Sequence, residues 1–248
     1  MFEAQVSQSA ILKKIIDAIK DLVTETSWDC SSTGMSLQAM DTSHVSLVSV
    51  QLNADGFAKF RCDRGITLGM NLASLAKVLK GASNDDTVTI KAPDNADKIT
   101  LLFEAKNETE VSEYELKLMN LDSEYLGIPD TQYSVNIQMP SHKFQRICRD
   151  LAQFGDTITI SCAKDGVRFG TSGDLGTGNI RLFQTASQDN PDEKVVIKMS
   201  EPIILSFSAK NLMQFSKATP LSPQVELKLA PDVPLGEFWN LNLTLISI

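Results

Sequence analysis

Residues 12–22, LKKIIDAIKDL, set over residues 144–154, FQRICRDLAQF, keep one apolar pattern across an offset of 132. Leu12 falls over Phe144, Ile15 over Ile147, Ile16 over Cys148, Ile19 over Leu151 and Leu22 over Phe154. Spacings of three and four put each set on one helical face. Lys14 lands on Arg146, away from that face. The offset continues into a strand and turn, with CSSTG (30–34) over CAKDG (162–166). A second pair repeats at offset 137. Here ITLGMNLASLAKVLK (66–80) aligns without a gap with IILSFSAKNLMQFSK (203–217), and Lys80 lands on Lys217. The difference of five residues reads as a loop insertion. The chain is one unit written twice: strand, helix, several strands, helix, strands.

Segments such as SLVSVQL, VTIKA, ITLLFE, YELKL, TITIS and VELKL alternate with a period of two and are expected to be strands. Between the halves runs MNLDSEYLGIPDTQYS (119–134), with Asp122, Glu124 and Asp130, and with Gly127 and Pro129 to interrupt regular structure. It reads as a surface linker. The expected division is domain one at 1–117, a linker at 118–134 and domain two at 135–248.

A chain of 248 residues, 42% hydrophobic and 22% charged, can bury a substantial core in one large domain or two ordinary ones. No run approaches 18 apolar residues, so no membrane contact is expected. MFEAQVSQSA lacks the basic and apolar regions of a secretory signal, which points to cytosol or nucleus. Cys30, Cys62, Cys148 and Cys162 are scattered without a CxxC pair and are expected as reduced thiols. The only histidines, His44 and His142, lie in different segments, so neither a metal centre nor a catalytic site is expected, and no cofactor. SGDLGTGN lacks the Lys-Ser/Thr of a phosphate loop and reads as a turn before a strand. FRCDR could hold a thiolate between arginines, but a structural loop is the expectation.

Charge is distributed unevenly. The helix windows 11–23, 69–81, 141–153 and 207–217 carry +1, +2, +2 and +2, so +7 together, and the remainder of a chain at −8 carries −15. Lys13 and Lys20 are seven apart, Lys77 and Lys80 three, Arg146 and Arg149 three, Lys210 and Lys217 seven. Each pair projects opposite its apolar stripe. Four solvated faces that happen to be basic would explain any one helix, but not four at repeat-related positions of an acidic chain. A surface for a polyanion explains all four. Long Lys and Arg side chains on helix faces suit phosphate contact that ignores base sequence.

ILKKIIDAIKDLV, SLQAMDTSHVSLV, FRCDR, YELKLMNLDSEYLGIP, RICRDL, ISCAKDGV, SGDLGTGNI and FSKATPLS together resemble the eukaryotic sliding clamps of the proliferating cell nuclear antigen family, from Met1 to about Leu235. The resemblance implies an α+β DNA-clamp fold: two similar domains, each with two helices packed on antiparallel sheet, and ring-forming. It implies a homotrimer that threads duplex DNA through a helix-lined hole, in the nucleus, without catalytic activity. A clamp loader would open it. DNA polymerases and replication and repair proteins would be its partners. By position, Lys13, Lys14, Lys20, Lys77, Lys80, Arg146, Arg149, Lys210 and Lys217 would face DNA. The charge count reaches the same residues independently.

The resemblance also implies subunit pairing between the strand EVSEYELKL around Tyr114 and LGTGNIRLF (175–183) around Gly178. Partner peptides would bind beneath the linker at Met40, Ser43, His44, Val45, Leu47, Leu126, Ile128, Pro129 and Pro234. Lys164 would accept ubiquitin or SUMO. After APDVPL the chain departs from the family: GEFWNLNLTLISI is shorter by more than ten residues. NLNLTLI is expected to fill one sheet position, leaving an uncovered edge. The alternative reading is a ring-incompetent clamp variant acting only as a peptide-binding module.

Overall fold

Strand β1 (Phe2–Val6) opens the chain with alternate residues buried, Phe2, Ala4 and Val6. In the computed structural model the described residues are 1–41, 46–121, 132–185, 191–231, 235–239 and 243–247. They form two compact units, one chiefly 1–126 and the other chiefly 127–248.

The first unit continues through α1 (Ser9–Ile19), β2 (Glu25–Ser31), β3 (Gly34–Met40), β4 (Ser46–Asn53), β5 (Lys59–Cys62), β6 (Ile66–Asn71), α2 (Leu72–Leu79), β7 (Thr87–Ala92), β8 (Lys98–Glu104) and β9 (Val111–Lys117). The second runs β10 (Val135–Pro140), α3 (Ser141–Leu151), β11 (Thr157–Ala163), β12 (Gly166–Gly173), β13 (Gly176–Leu182), β14 (Val196–Met199), β15 (Ile203–Ser208), α4 (Ala209–Phe215), β16 (Gln224–Leu229), β17 (Leu235–Trp239) and β18 (Leu243–Ser247). The order of helices and strands is the same in both.

Strand pairing repeats as well. The neighbours run β5-β1-β7-β8-β9 and β4-β3-β2-β6 in the first unit, and β14-β10-β16-β17-β18 and β13-β12-β11-β15 in the second. Register is conserved: Cys30 pairs Met35 and Ser31 pairs Gly34, as Cys162 pairs Val167 and Ala163 pairs Gly166, both antiparallel. Gly34 and Gly166 hold φ of 145° and 141°. L side chains rarely adopt that conformation, and a Cβ would meet the carbonyl oxygen of Leu52 at 2.1 Å or of Leu182 at 2.4 Å.

The helices pack in pairs, α1 on α2 and α3 on α4. Their stripes are the ones read from spacing: Leu12, Ile15, Ile16 and Ile19, and Phe144, Ile147, Cys148 and Leu151, are buried. Burying each large side chain stabilises by about 1.5–3 kcal/mol. Residues 69–71 and 207–208, inside the expected helical windows, instead end strands β6 and β15. The helices start where Asn71 Oδ1 accepts from the Ser74 amide (2.9 Å) and Ser208 Oγ from the Asn211 amide (3.4 Å). At the other end of α1, Lys20 already caps the helix, and residues 21–23 of the expected window lie beyond it.

The C-terminal end corrects the sequence reading. Two strands, not one, follow β16: β17 pairs β16 through Lys228 and Gly236, and β18 pairs β17 from Leu235–Ser247 to Trp239–Leu243. They take the positions of β8 and β9. Leu-Gly-Glu-Phe-Trp is too short to show a convincing period, so pairing with β16 decides it.

Candidate nucleic-acid interface

The N-termini of the helices are fastened by the repeat itself. Ser9 N–H donates to Asp86 O and its hydroxyl to Ser83 O at 2.5 Å. Ser141 N–H donates to Pro223 O and its hydroxyl to Ser222 O at 2.5 Å. Leu72 N–H reaches Thr24 O, and Ala209 N–H reaches Asp156 O. Each helix start is thus satisfied by the segment flanking its partner helix, which holds the pair in one relative position. Neither Ser9 nor Ser141 was singled out by sequence, though both sit three residues before the repeating pattern, at the same offset of 132.

On this frame the cations separate into two groups. Lys14, Lys77, Lys80, Arg146 and Lys210 are exposed, and among the described residues none has a carboxylate within 4 Å. Lys13, Lys20 and Arg149 are engaged. Lys13 Nζ donates to Ala82 O at 2.5 Å and to Asn84 Oδ1 at 3.2 Å. Lys20 pairs with Asp17 one turn back. Arg149 Nε lies 3.4 Å from Asp150. Lys217 is exposed just beyond α4. Two residues of α3 outside the expected DNA-facing set are also engaged: Lys143 lies 3.2 Å and His142 3.7 Å from the Glu193 carboxylate.

Elsewhere four cations are matched. Lys91 lies 3.7 Å from Glu3, Lys98 2.7 Å from Glu115, Arg61 2.8 Å from Asp63 and Lys228 3.6 Å from Glu226. Glu115 raises the Lys98 pKa, and Arg61 lowers that of Asp63 by hydrogen bonding. Four of the nine strand cations are thus matched locally, whereas five helix cations have no carboxylate within 4 Å among the described residues. The net positive charge of the helix windows, with those five cations unmatched, gives each helix pair a positive field in an acidic chain.

The other sequence-predicted residues fall as follows. Tyr114 is in the middle of β9, 40% exposed, with its ring 5.4 Å from Phe103. Gly178 is in β13, where a Cβ would stand 3.0 Å from Leu151 Cδ2. Both strands end their sheet runs. Lys164 is exposed on the β11–β12 turn. Of the expected peptide-binding set, Met40 is half-buried at the end of β3 and Leu47 is buried in β4. Ser43, His44, Val45, Leu126, Ile128, Pro129 and Pro234 lie outside the described residues.

All four cysteines are unbridged. Burial pushes the Cys30 thiol up to about 12 and the Cys162 thiol to about 11, and it raises Cys62 too. Cys62 donates to Arg64 O at 3.0 Å, so it is a hydrogen-bonded thiol rather than a thiolate between arginines. Among the described residues no helix is long and apolar enough to cross a membrane.

Comparison with protein families agrees with this geometry. Residues 1–125 match the proliferating cell nuclear antigen N-terminal domain, and residues 127–244 match its C-terminal domain. The second match extends past Leu235, where the visible resemblance ends, and takes in β17 and the start of β18. With both domain matches, and with two α+β units of equal topology each presenting a basic helix pair, the chain belongs to the proliferating cell nuclear antigen family of DNA sliding clamps.

Proposed function

We propose that this chain closes with two copies of itself into a homotrimeric ring around duplex DNA and has no chemistry of its own. The observation that carries the reading is the set of exposed cations Lys14, Lys77, Lys80, Arg146 and Lys210 on helices of both units, none with a carboxylate within 4 Å among the described residues. Lys13, Lys20, Arg149 and Lys217 belong to the same DNA-facing elements. The few charges on each unit suit a wall that tolerates sliding phosphates rather than one that grips a sequence. Enclosure reconciles a net charge of −8 with DNA association.

Head-to-tail closure is supported by the two end strands. β9 exposes Val111 (63%) and Tyr114; Leu175 (77%) and Phe183 (59%) flank β13. An exposed strand edge with large apolar side chains is a template for pairing, and a heterologous contact that closes yields a ring. In this reading residues 1–117 and 135–248 are the clamp domains joined by a linker at 118–134. The nuclear ring serves as processivity factor for DNA polymerases and as platform for replication and repair proteins carrying short clamp-binding motifs. A loader opens it, and Lys164 is its modification site.

Native mass tests the ring. Light scattering should give three chains of 27.2 kDa. A concentration-independent single-chain mass would leave the peptide-binding module in its place.

A further inference from the structure

The second unit carries a feature that the clamp reading does not use. Arg168 on β12 stands directly opposite Arg181 on β13, with Ser161 of β11 beside Arg168 in register. Like charges directly opposite on antiparallel strands oppose pairing. Among the described residues neither guanidinium has a carboxylate within 4 Å. Arg168 Nε donates to Asn179 Oδ1 at 2.8 Å, which leaves its two terminal nitrogens without a partner among those residues.

One row along the sheet, Gly170 pairs Thr159 on one side and Asn179 on the other. A Cβ at Gly170 would lie 2.8 Å from Asn179 Oδ1. The bare position helps open a cavity of about 440 Å³, where Arg168 meets the hydroxyl-bearing Thr157, Thr159, Ser161, Ser172 and Thr177. Thr159 is tied to Ser206 at 2.8 Å. An adjoining cavity of about 170 Å³ joins Arg168 to Arg181, with Asp165 as the only carboxylate among the described residues lining either space.

The first unit serves as an internal control. Its sheet has the same strand order and register, yet Asp29 pairs Ser36 where Ser161 pairs Arg168. Glu25 occupies the position of Thr157. The fold is therefore built equally well with carboxylates on this face, and the arginines and hydroxyls are not demanded by it.

We propose that this face binds the phosphate monoester of a phosphoserine or phosphothreonine on a partner protein. Two guanidiniums match a group of charge about −1.5 to −2, and hydroxyl donors complete the shell of its oxygens. A nucleic-acid backbone would call for a row of cations; this face has two.

The test is fluorescence anisotropy on the full chain with a degenerate phosphoserine/phosphothreonine peptide library and its unphosphorylated counterpart. The phosphorylated library binds and the other does not. R168Q/R181Q weakens binding at least about tenfold at an unchanged melting temperature. G170T keeps both charges, fills the cavity and also weakens binding, which serves if the double variant misfolds. K77A/K80A binds like the parent. Equal binding of both libraries, or undiminished binding by R168Q/R181Q and G170T, overturns the proposal. Inorganic phosphate binding as tightly as the library would reduce the site to an ion site and overturn it. So would displacement of the library by duplex DNA at concentrations where inorganic phosphate has no effect.

Discussion

Lys13 and Gln145 occupy the same position of the repeat, 132 residues apart, and each ties its helix to the elements of its partner helix. Lys13 Nζ donates to Ala82 O at 2.5 Å; Gln145 Nε2 donates to Ser216 O at 3.1 Å. Lys13 is therefore a fastener as well as a cation, whereas Lys14 beside it has no partner among the described residues. Lys13→Ala should lower stability by about 1–3 kcal/mol, because it removes a charged donor from a buried carbonyl. Lys13→Gln, the residue the other unit uses, should recover part of that loss. Lys14→Ala should leave stability within about 0.5 kcal/mol and weaken retention on DNA. Urea denaturation and DNA retention, run on all three variants, separate the roles.

Lys77 and Lys80 leave α2 on its exposed side with no carboxylate within 4 Å among the described residues. Replacing both by Ala should weaken loading onto DNA or stimulation of a polymerase without unfolding the protein. The dependence of DNA retention on salt should flatten by about two charges' worth. Unchanged retention and unchanged stimulation would remove α2 from the DNA-facing wall.

Ser9 and Ser141 are both buried and both hydroxyls donate across to the loop after the second helix. Ser141→Ala strands the Ser222 carbonyl and should cost about 1–3 kcal/mol; Ser9→Ala should cost less, because Ser83 O keeps the Asp86 amide at 3.2 Å. Thermal melts of the two single variants measure this. A loss at Ser9 as large as that at Ser141 would overturn this order.

Tyr114 offers the cleaner probe of subunit pairing. Gly178 faces Leu151 within its own unit, so a side chain there disturbs packing as well as the strand edge. Tyr114 is 40% exposed at an end strand. Tyr114→Ala should lower the native mass from three chains to one and leave circular dichroism intact. A trimer that survives the change would place the contact elsewhere.

Cys30 and Cys162, with folded-state values of about 12 and 11, keep their protons where an unfolded thiol at its ordinary value loses them. Above about pH 9 the unfolded state binds fewer protons than the folded state, so stability falls with rising pH. The slope should approach about 1.4 kcal/mol per pH unit for each thiol and vanish below pH 8. Cys30→Ala should flatten the alkaline decline in melting temperature. Native alkylation at pH 8 should spare Cys30 and Cys162.

Much of this was visible along the chain. The apolar stripes of α1 and α3 needed only spacing, and the equivalence of CSSTG and CAKDG marked a repeated strand and turn, whose glycines share one conformation in the structure. The basic faces needed only a count. The division of those cations was not visible, because Lys13 and Lys14 are neighbours with similar local sequence. What separates them is a carbonyl at Ala82, 69 residues away. The β17–β18 pair was misread for a similar reason: a five-residue strand has too little period to declare itself until β16 stands beside it.

Period, order and the sign of helix charge are local properties, set by which side chains lie three, four or two residues apart. They were readable from the chain alone, and with them the duplicated α+β unit. Which cations stay free, which strands end the sheets, and whether two arginines stand face to face depend on contacts between segments far apart in sequence. Arg168 and Arg181 are thirteen residues apart, a spacing that carries no message by itself. Antiparallel register puts them opposite one another, and only pairing in space could decide that.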